Sequence, residues 1–271
     1  MRKFWYFDKI VIVTGASSGF GKLICEHLVN NCGCKVYGIA RRESNLQLLK
    51  EQLGENFDYF AMDVSIEQNW IDLAKKLNEN NIFPDVLINN AGILPKFKKF
   101  ENIDGETFTS VLNTNFYASV FSVKHLLPIL KKSSSPAIIN VASSASLATV
   151  IGTSAYSASK SALKSFTECV ILENKEVYVA LVCPGFAKTE IFRSQNSSIE
   201  GNSLFNLVCS DPKKSVKKML KKIARKKPRI IIGFDAHLMN LGYKLFPVTT
   251  NRLIAWVLKR AKLELFDEVF N

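Results

Sequence analysis

Long apolar runs are missing from this 271-residue chain, and no stretch approaches the ~18 consecutive apolar residues of a membrane-spanning helix. The start, Met1 to Phe7, is too short and too aromatic for a secretory signal, so a cytoplasmic location is expected. A disulfide framework is missing too. The six cysteines, Cys25, Cys32, Cys34, Cys169, Cys183 and Cys209, follow no regular spacing. A chain of this length can bury enough apolar surface to fold without staples, so reduced thiols are expected. Histidine is scarce: His27, His125 and His237 lie far apart, and no second cysteine pair joins Cys32 and Cys34. Four ligands do not assemble, and no metal site is expected.

Acidic residues are absent from residues 213–229, where ten of seventeen positions are Lys or Arg, within a chain of net charge +12. Val216, Met219, Leu220 and Ile223 recur there at helical spacing, which turns the basic side chains outward. A single-strand nucleic-acid surface would interleave aromatic stacking residues with the cations. This segment has none, and no nucleic-acid partner is expected.

What is present is a regular alternation of short β-branched runs with amphipathic helical stretches. Lys9 to Thr14 reads as a strand and Phe20 to Val29 as a helix, followed by Val36 to Ala40, Ser44 to Leu53, Tyr59 to Met62, Ile66 to Leu77 and Asp85 to Asn89. Helical patterning around Gly105 to Lys132, a strand Ala137 to Val141, a helix Ser154 to Asn174 and a strand Val177 to Val182 continue the series. A helix over Lys213 to Lys226 and a last strand, Arg229 to Ile232, complete it. This is the signature of an α/β fold, a doubly wound, Rossmann-type parallel sheet in a single domain spanning residues 1–271. In such sheets ligands bind beyond the carboxyl ends of the strands, which directs attention to those loops.

The first such loop reads Thr14-Gly15-Ala16-Ser17-Ser18-Gly19-Phe20-Gly21. Gly15, Gly19 and Gly21 permit positive φ and close backbone approach, and with Ser17, Ser18 and Phe20 they form a candidate pyrophosphate cradle at a helix N-terminus. A plain packing turn is the alternative. The second strand ends in Arg41-Arg42, where an NAD-preferring fold would place an acid. Arg41 offers a guanidinium suited to a 2′-phosphate, so NADP(H) is expected over NAD(H); Arg42 reads equally as a solvated basic neighbour.

Tyr156 and Lys160 lie four apart on one face of a helix, a spacing that decides nothing by itself. Ser143 stands at the end of the strand Ile138 to Val141, and Asn115 lies within Asn113-Thr114-Asn115-Phe116. Together with the glycine loop, Asp63-Val64 after strand three and Asn89-Asn90-Ala91-Gly92 after strand four, this order resembles the short-chain dehydrogenase/reductase family. The resemblance covers residues 9–189 and implies a catalytic set of Asn115, Ser143, Tyr156 and Lys160. It places Asp63 and Val64 against adenine, Asn89, Asn90, Ala91 and Gly92 along the dinucleotide crevice, and Pro184, Gly185, Phe186 and Thr189 near the nicotinamide carboxamide. Asp63 could instead cap the helix beginning near Ile66.

The implied reaction moves a hydride between nicotinamide and a carbonyl or secondary alcohol. Tyr156 supplies the proton, Lys160 tunes it and reaches the nicotinamide ribose, Ser143 holds the substrate oxygen, and Asn115 anchors a relay water. A free phenol titrates near 10, and lowering it by about three units requires about 4 kcal/mol of differential stabilisation. Ser146 departs from the family pattern, which commonly has glycine three residues after the catalytic serine. A catalytically silent NADP(H)-binding regulatory protein is the alternative function.

Residues 186–210 read as a substrate lid whose apolar members, Ile191, Phe192, Leu204 and Phe205 among them, either suggest a lipophilic carbonyl or alcohol substrate or simply dock the lid. Residues 235–271 read as a C-terminal helical extension, with helices His237 to Leu245 and Asn251 to Leu263 split by Pro247. Packing on its own domain is the favoured reading, because Leu238, Leu241, Leu253, Ile254 and Val257 would otherwise form a large exposed patch. Covering the active site, dimerisation, or weak peripheral membrane contact through the basic C-terminal part are the alternatives. The family resemblance implies a homodimer or homotetramer built through the helices that carry Asn115 and Tyr156.

Overall fold

The computed structural model describes residues 4–187, 191, 209–261 and 263–270. Seven parallel strands form one sheet: β1 (Ile10–Thr14), β2 (Lys35–Ala40), β3 (Phe57–Ala61), β4 (Val86–Asn89), β5 (Ala137–Val141), β6 (Tyr178–Pro184) and β7 (Arg229–Ile232). Their spatial order is β3-β2-β1-β4-β5-β6-β7. Val11 of β1 pairs with Val36 of β2 on one side and Val86 of β4 on the other. The winding therefore reverses at β1, and a crevice opens between the carboxyl ends of β1 and β4.

Helices cover both faces: α1 (Gly19–Cys32), α2 (Glu43–Leu53), α3 (Glu67–Glu79), α4 (Gly105–Leu112), α5 (Ala118–Leu130), α6 (Ser154–Glu173) and α7 (Pro212–Ala224). The period-two alternation of β1 sorts its side chains between two apolar layers. Val11 and Val13 pack with Ile24, Leu28, Leu49 and Leu220 on one face, whereas Ile12 packs with Trp70, Leu73, Leu126 and Leu130 on the other. Helix ends follow local chemistry. Gly33, at φ 66°, terminates α1 in the left-handed conformation, and the Asp211 carboxylate caps α7 by accepting from the Lys214 amide at 2.7 Å, with Pro212 opening the helix.

Two features depart from the sequence reading. Between α4 and α5 the backbone makes a π-turn over Asn113–Tyr117, where periodicity shows only continuous helix. At the C-terminal end, α8 (Phe234–Leu245) and α9 (Pro247–Arg260) form a hairpin, followed by the short α10 (Asp267–Phe270). Packing against the body holds for Met239, Leu263, Leu265, Phe266 and Val269, which are buried, and in part for Ile254. Leu238, Leu241, Leu253 and Val257 are exposed, and α9 buries no residue fully. Apolar spacing identifies an amphipathic helix without revealing what its apolar face meets. Among the described residues, no helix is long and apolar enough to cross a membrane.

Candidate active site

The crevice begins at the glycine loop. Gly15 and Gly19 adopt φ of 70° and 52°, conformations that glycine tolerates without strain. A Cβ on Gly21 would lie 2.1 Å from the Gly15 carbonyl oxygen, and one on Gly15 would lie 2.9 Å from Asn90 Nδ2. Backbone fills the space a side chain would need, so α1 starts directly over the turn. Ser18 sits at its N-cap with no side-chain cap bond. The first amides of α1 accordingly face the crevice as donors without intrahelical acceptors. This cradle fits a dinucleotide pyrophosphate.

Thr14 holds the opposite wall, a role its β-branched run did not reveal. Its hydroxyl accepts from the Asn90 and Ala91 amides, both at 2.9 Å, while Asn90 Nδ2 donates to the Thr14 carbonyl at 3.0 Å. Asn89 lies deeper and does not reach the crevice. It joins a buried chain in which Ser122 donates to Asn89, Asn89 to Asn140, and Asn140 to Thr167, at 2.8, 2.9 and 2.9 Å. This satisfied network ties β4 and β5 to α5 and α6 beneath the site.

Of the two arginines after β2, Arg42 lines the crevice and donates to Ser17 Oγ at 3.3 Å. Arg41 stands 3.7 Å from the Asp63 carboxylate. Asp63 does not cap α3, whose N-cap is Ile66; its carboxylate accepts from the Ser65 amide and hydroxyl at 2.9 and 2.7 Å, shaping the turn before the helix. Val64 is buried.

Ser143, Tyr156 and Lys160 converge beyond β5. Ser143 begins a short 3-10 turn, Ser144–Ser146, and its hydroxyl accepts from the Ala145 amide at 3.2 Å. Ser146, standing where the family pattern favours glycine, donates to the Ser143 carbonyl at 2.6 Å and contacts Cys183 Sγ at 3.6 Å. The departure thus braces the backbone that carries Ser143. Tyr156 and Lys160 are both buried on α6, with Lys160 Nζ 5.9 Å from the Tyr156 ring centroid and donating to the Val141 carbonyl at 3.1 Å.

Burial pushes the Tyr156 phenol above its ordinary value, and the facing Ser143 hydroxyl pulls it partly back. Burial also lowers Lys160 to about 8. The downward shift expected for Tyr156 calls on Lys160 and the positive charge of an oxidised nicotinamide together, whereas burial by itself acts in the opposite direction.

Asn115 is held by hydrogen bonds within the protein. Its side chain accepts from the Ile93 amide at 2.7 Å and donates to the Ile93 carbonyl and Ser159 Oγ, both at 3.0 Å. These bonds commit the amide to clamping the loop after β4. Gly92 lies between the partners: a Cβ there would come within 3.2 Å of Asn115 Oδ1 and 3.3 Å of Lys160 Nζ.

The crevice, of about 400 Å³, runs from Gly15 and Ser18 to Ser143 and Tyr156 and ends among Leu94, Phe97, Val150 and Ile191. Pro184, Gly185 and Phe186 form its far wall. The Phe186 amide donates to Asp235 at 2.7 Å, an anchor that the sequence reading missed. Ala187 and Ser210 are joined by a bridge; Thr189, with residues 188–190 and 192–208 of the segment expected to form a lid, lies outside the described residues. Among the described residues, no three His, Cys, Asp or Glu side chains gather as a metal site.

A family model described as short chain dehydrogenase matches residues 9–200 of this chain. The chain belongs to the short-chain dehydrogenase family. The chain is 32% identical over 206 residues to 11-beta-hydroxysteroid dehydrogenase 1A of Arabidopsis thaliana, across 74% of this chain and 58% of the plant protein. The match thus spans less than two thirds of that relative's length. A fatty acyl-CoA reductase of Acinetobacter baylyi is 31% identical over 260 residues, covering 90% of this chain and 88% of its own. Among solved structures, a short chain dehydrogenase from Burkholderia cenocepacia J2315 in complex with NADP gives a TM-score of 0.78 at 22% identity, over 92% of this chain and 98% of that one. That likeness is one of fold.

Proposed function

We propose that this dehydrogenase transfers a hydride between NADP(H) and a lipophilic carbonyl or secondary alcohol. The observation that carries the reading is the meeting of Ser143, Tyr156 and Lys160 with the glycine cradle in one crevice. Gly15, Ser17, Ser18, Gly19, Phe20 and Gly21 would hold the pyrophosphate, and Asp63 and Val64 would flank the adenine. Arg41 and Arg42 would meet the 2′-phosphate, Arg42 being the one already turned to the cradle. Asn90, Ala91 and Gly92 would line the nicotinamide half, with Pro184, Gly185, Phe186 and Thr189 opposite.

Bound cofactor supplies or accepts the hydride and, when oxidised, brings a positive charge. Tyr156 delivers the proton to the substrate oxygen, and its burial-raised pKa keeps the phenol protonated, the state that reduction requires. Ser143 donates a hydrogen bond to the same oxygen, where negative charge develops. Lys160 stabilises the phenolate left after proton transfer. Leu94, Phe97, Val150 and Ile191 give the substrate end an apolar wall, which favours lipophilic substrates.

The protein acts in the cytoplasm as a homodimer or homotetramer joined through α5 and α6, with weak anionic-membrane contact through its basic C-terminal part. Following the loss of NADPH absorbance over a panel of lipophilic ketones and aldehydes, with NADH in parallel, tests the reading. Turnover that prefers NADPH supports it. Cofactor binding with no turnover on any member favours a silent nucleotide-binding regulator.

A further inference from the structure

The α8–α9 hairpin carries apolar side chains on its outside. Phe234, Leu238, Leu241 and Leu245 follow one another at four, three and four residues along α8, forming a single stripe, and they are 84%, 61%, 57% and 62% exposed. On α9, Leu253, Trp256 and Val257 repeat the pattern, and Phe246 and Val248 bring it across the connecting turn. A monomer surface seldom leaves so many large apolar groups contiguous without using them. The two helices pack against each other at their connecting turn, where a Cβ on Gly242 would lie 2.9 Å from Thr250 Oγ1.

Charge tells what the face meets. Between Ala236 and Leu263 the sequence has no Asp or Glu, while Lys244, Arg252, Lys259 and Arg260 are exposed beside the apolar stripe. The Arg260 guanidinium lies over the Trp256 ring, 4.7 Å from its centroid, placing a cation on the face of an aromatic side chain. A second copy of the chain docked face to face would set the hairpin's basic residues against their like, and residues 236–263 carry no acid to neutralise them. Apolar and aromatic side chains bordered by Lys and Arg, free of acids, complement the headgroup boundary of an anionic bilayer.

We propose that the α8–α9 hairpin is an interfacial docking surface that seats the protein on anionic lipid, with the Leu and Trp stripe in the headgroup–acyl boundary and the basic residues among the headgroups. The lysine-rich helix α7 does not play this part. Its apolar side chains Val216, Met219, Leu220 and Ile223 are buried, leaving charge without an apolar anchor. The inner residues of the hairpin, Met239, Ile254 and Leu258, share an apolar cluster with Tyr156, Phe186 and Ile191. Docking therefore places the substrate end of the crevice one helical layer from the lipid. That consequence rests on the oxidoreductase reading, whereas docking itself does not.

Flotation of the full chain with vesicles of phosphatidylcholine, alone or with about 30 mol% phosphatidylserine, tests the proposal. Three proteins enter it: the native chain, Leu241→Ser/Leu253→Ser/Trp256→Ser, and Lys213→Gln/Lys214→Gln/Lys217→Gln. Every substituted side chain is exposed, and a thermal melt checks that each variant folds. Native protein should float with the anionic vesicles and not the neutral ones, with quenching of Trp256 by brominated lipid. The hairpin variant should lose roughly 30-fold or more in partitioning, because three large side chains leave the boundary, while the α7 variant keeps most of it.

Flotation that survives in the hairpin variant and fails in the α7 variant overturns the assignment. So does the absence of native flotation, whether or not the chain forms a dimer that the hairpin substitutions dissociate. Cofactor turnover, measured without vesicles, tests the oxidoreductase reading separately.

Discussion

Asp235, in the first turn of α8, accepts a 2.7 Å hydrogen bond from the backbone amide of Phe186. The carboxylate is packed so closely that a Cβ on Gly185 would lie 2.2 Å from its oxygens. A helix otherwise turned outward thereby fixes the loop that closes the far wall of the crevice.

Asp235→Ala should free that loop and raise the KM for NADPH by about tenfold, the scale of one lost charge-assisted bond, with a smaller effect on kcat. Asp235→Asn keeps an acceptor and should bind cofactor nearly as well as the native protein. Initial-rate cofactor titrations of both variants check this.

Asp235→Asn should also differ from the native chain in how its stability depends on pH. Burial holds the Asp235 carboxyl above the ordinary carboxylate range. A carboxyl raised on folding favours the native state on the acid side, and that contribution is lost as pH rises through the folded-state pKa. Asp235→Asn should therefore be at least as stable as the native chain at pH near neutrality, and the difference should shrink as pH falls from the raised folded-state pKa to about 4, the unfolded carboxyl pKa. Urea midpoints across this window give the comparison.

Arg42, and not only Arg41, should govern the choice of cofactor. Arg42→Ala removes the guanidinium turned to Ser17, and the ratio of kcat/KM for NADPH over NADH should fall by roughly 10–100-fold, as expected when one phosphate-directed guanidinium is lost. Arg41→Ala should lower the same ratio less, since Arg41 already faces Asp63 at 3.7 Å. Equal ratios in all three proteins would remove both residues from phosphate recognition.

Lys160 sets an alkaline limit. Its ammonium is needed to stabilise the Tyr156 phenolate, and burial places its pKa at about 8. The reductive kcat/KM, which reports free-enzyme ionisations, should be flat below neutrality and fall as pH rises through about 8. Lys160→Met should lose most activity and, with it, that alkaline limb.

The glycine loop and the strand series were legible in the sequence because each rests on local chemistry. Gly15, Gly19 and Gly21 answer to backbone geometry within a few residues, and the β-branched runs leave a period of two. The π-turn at Asn113–Tyr117 left no such trace, since its Asn115 clamp depends on Ile93, twenty-two residues away. The choice between Arg41 and Arg42 was hidden for a related reason: which guanidinium turns to Ser17 depends on how the chain enters α2. Asp235 was hidden because its partner, Phe186, lies forty-nine residues earlier. The α8–α9 stripe was visible as a pattern, but periodicity is the same for an apolar face that is buried and one that is exposed.

The central claim is that Tyr156 is the proton donor of an NADPH-dependent reduction. Steady-state NADPH oxidation with a lipophilic ketone, comparing the native chain with Tyr156→Phe, tests it most directly, with cofactor affinity measured in parallel. The account predicts that the variant binds NADPH as tightly as the native protein and turns over about 10²–10⁴ times more slowly, the usual contribution of a positioned general acid. A variant that retains native turnover would contradict it.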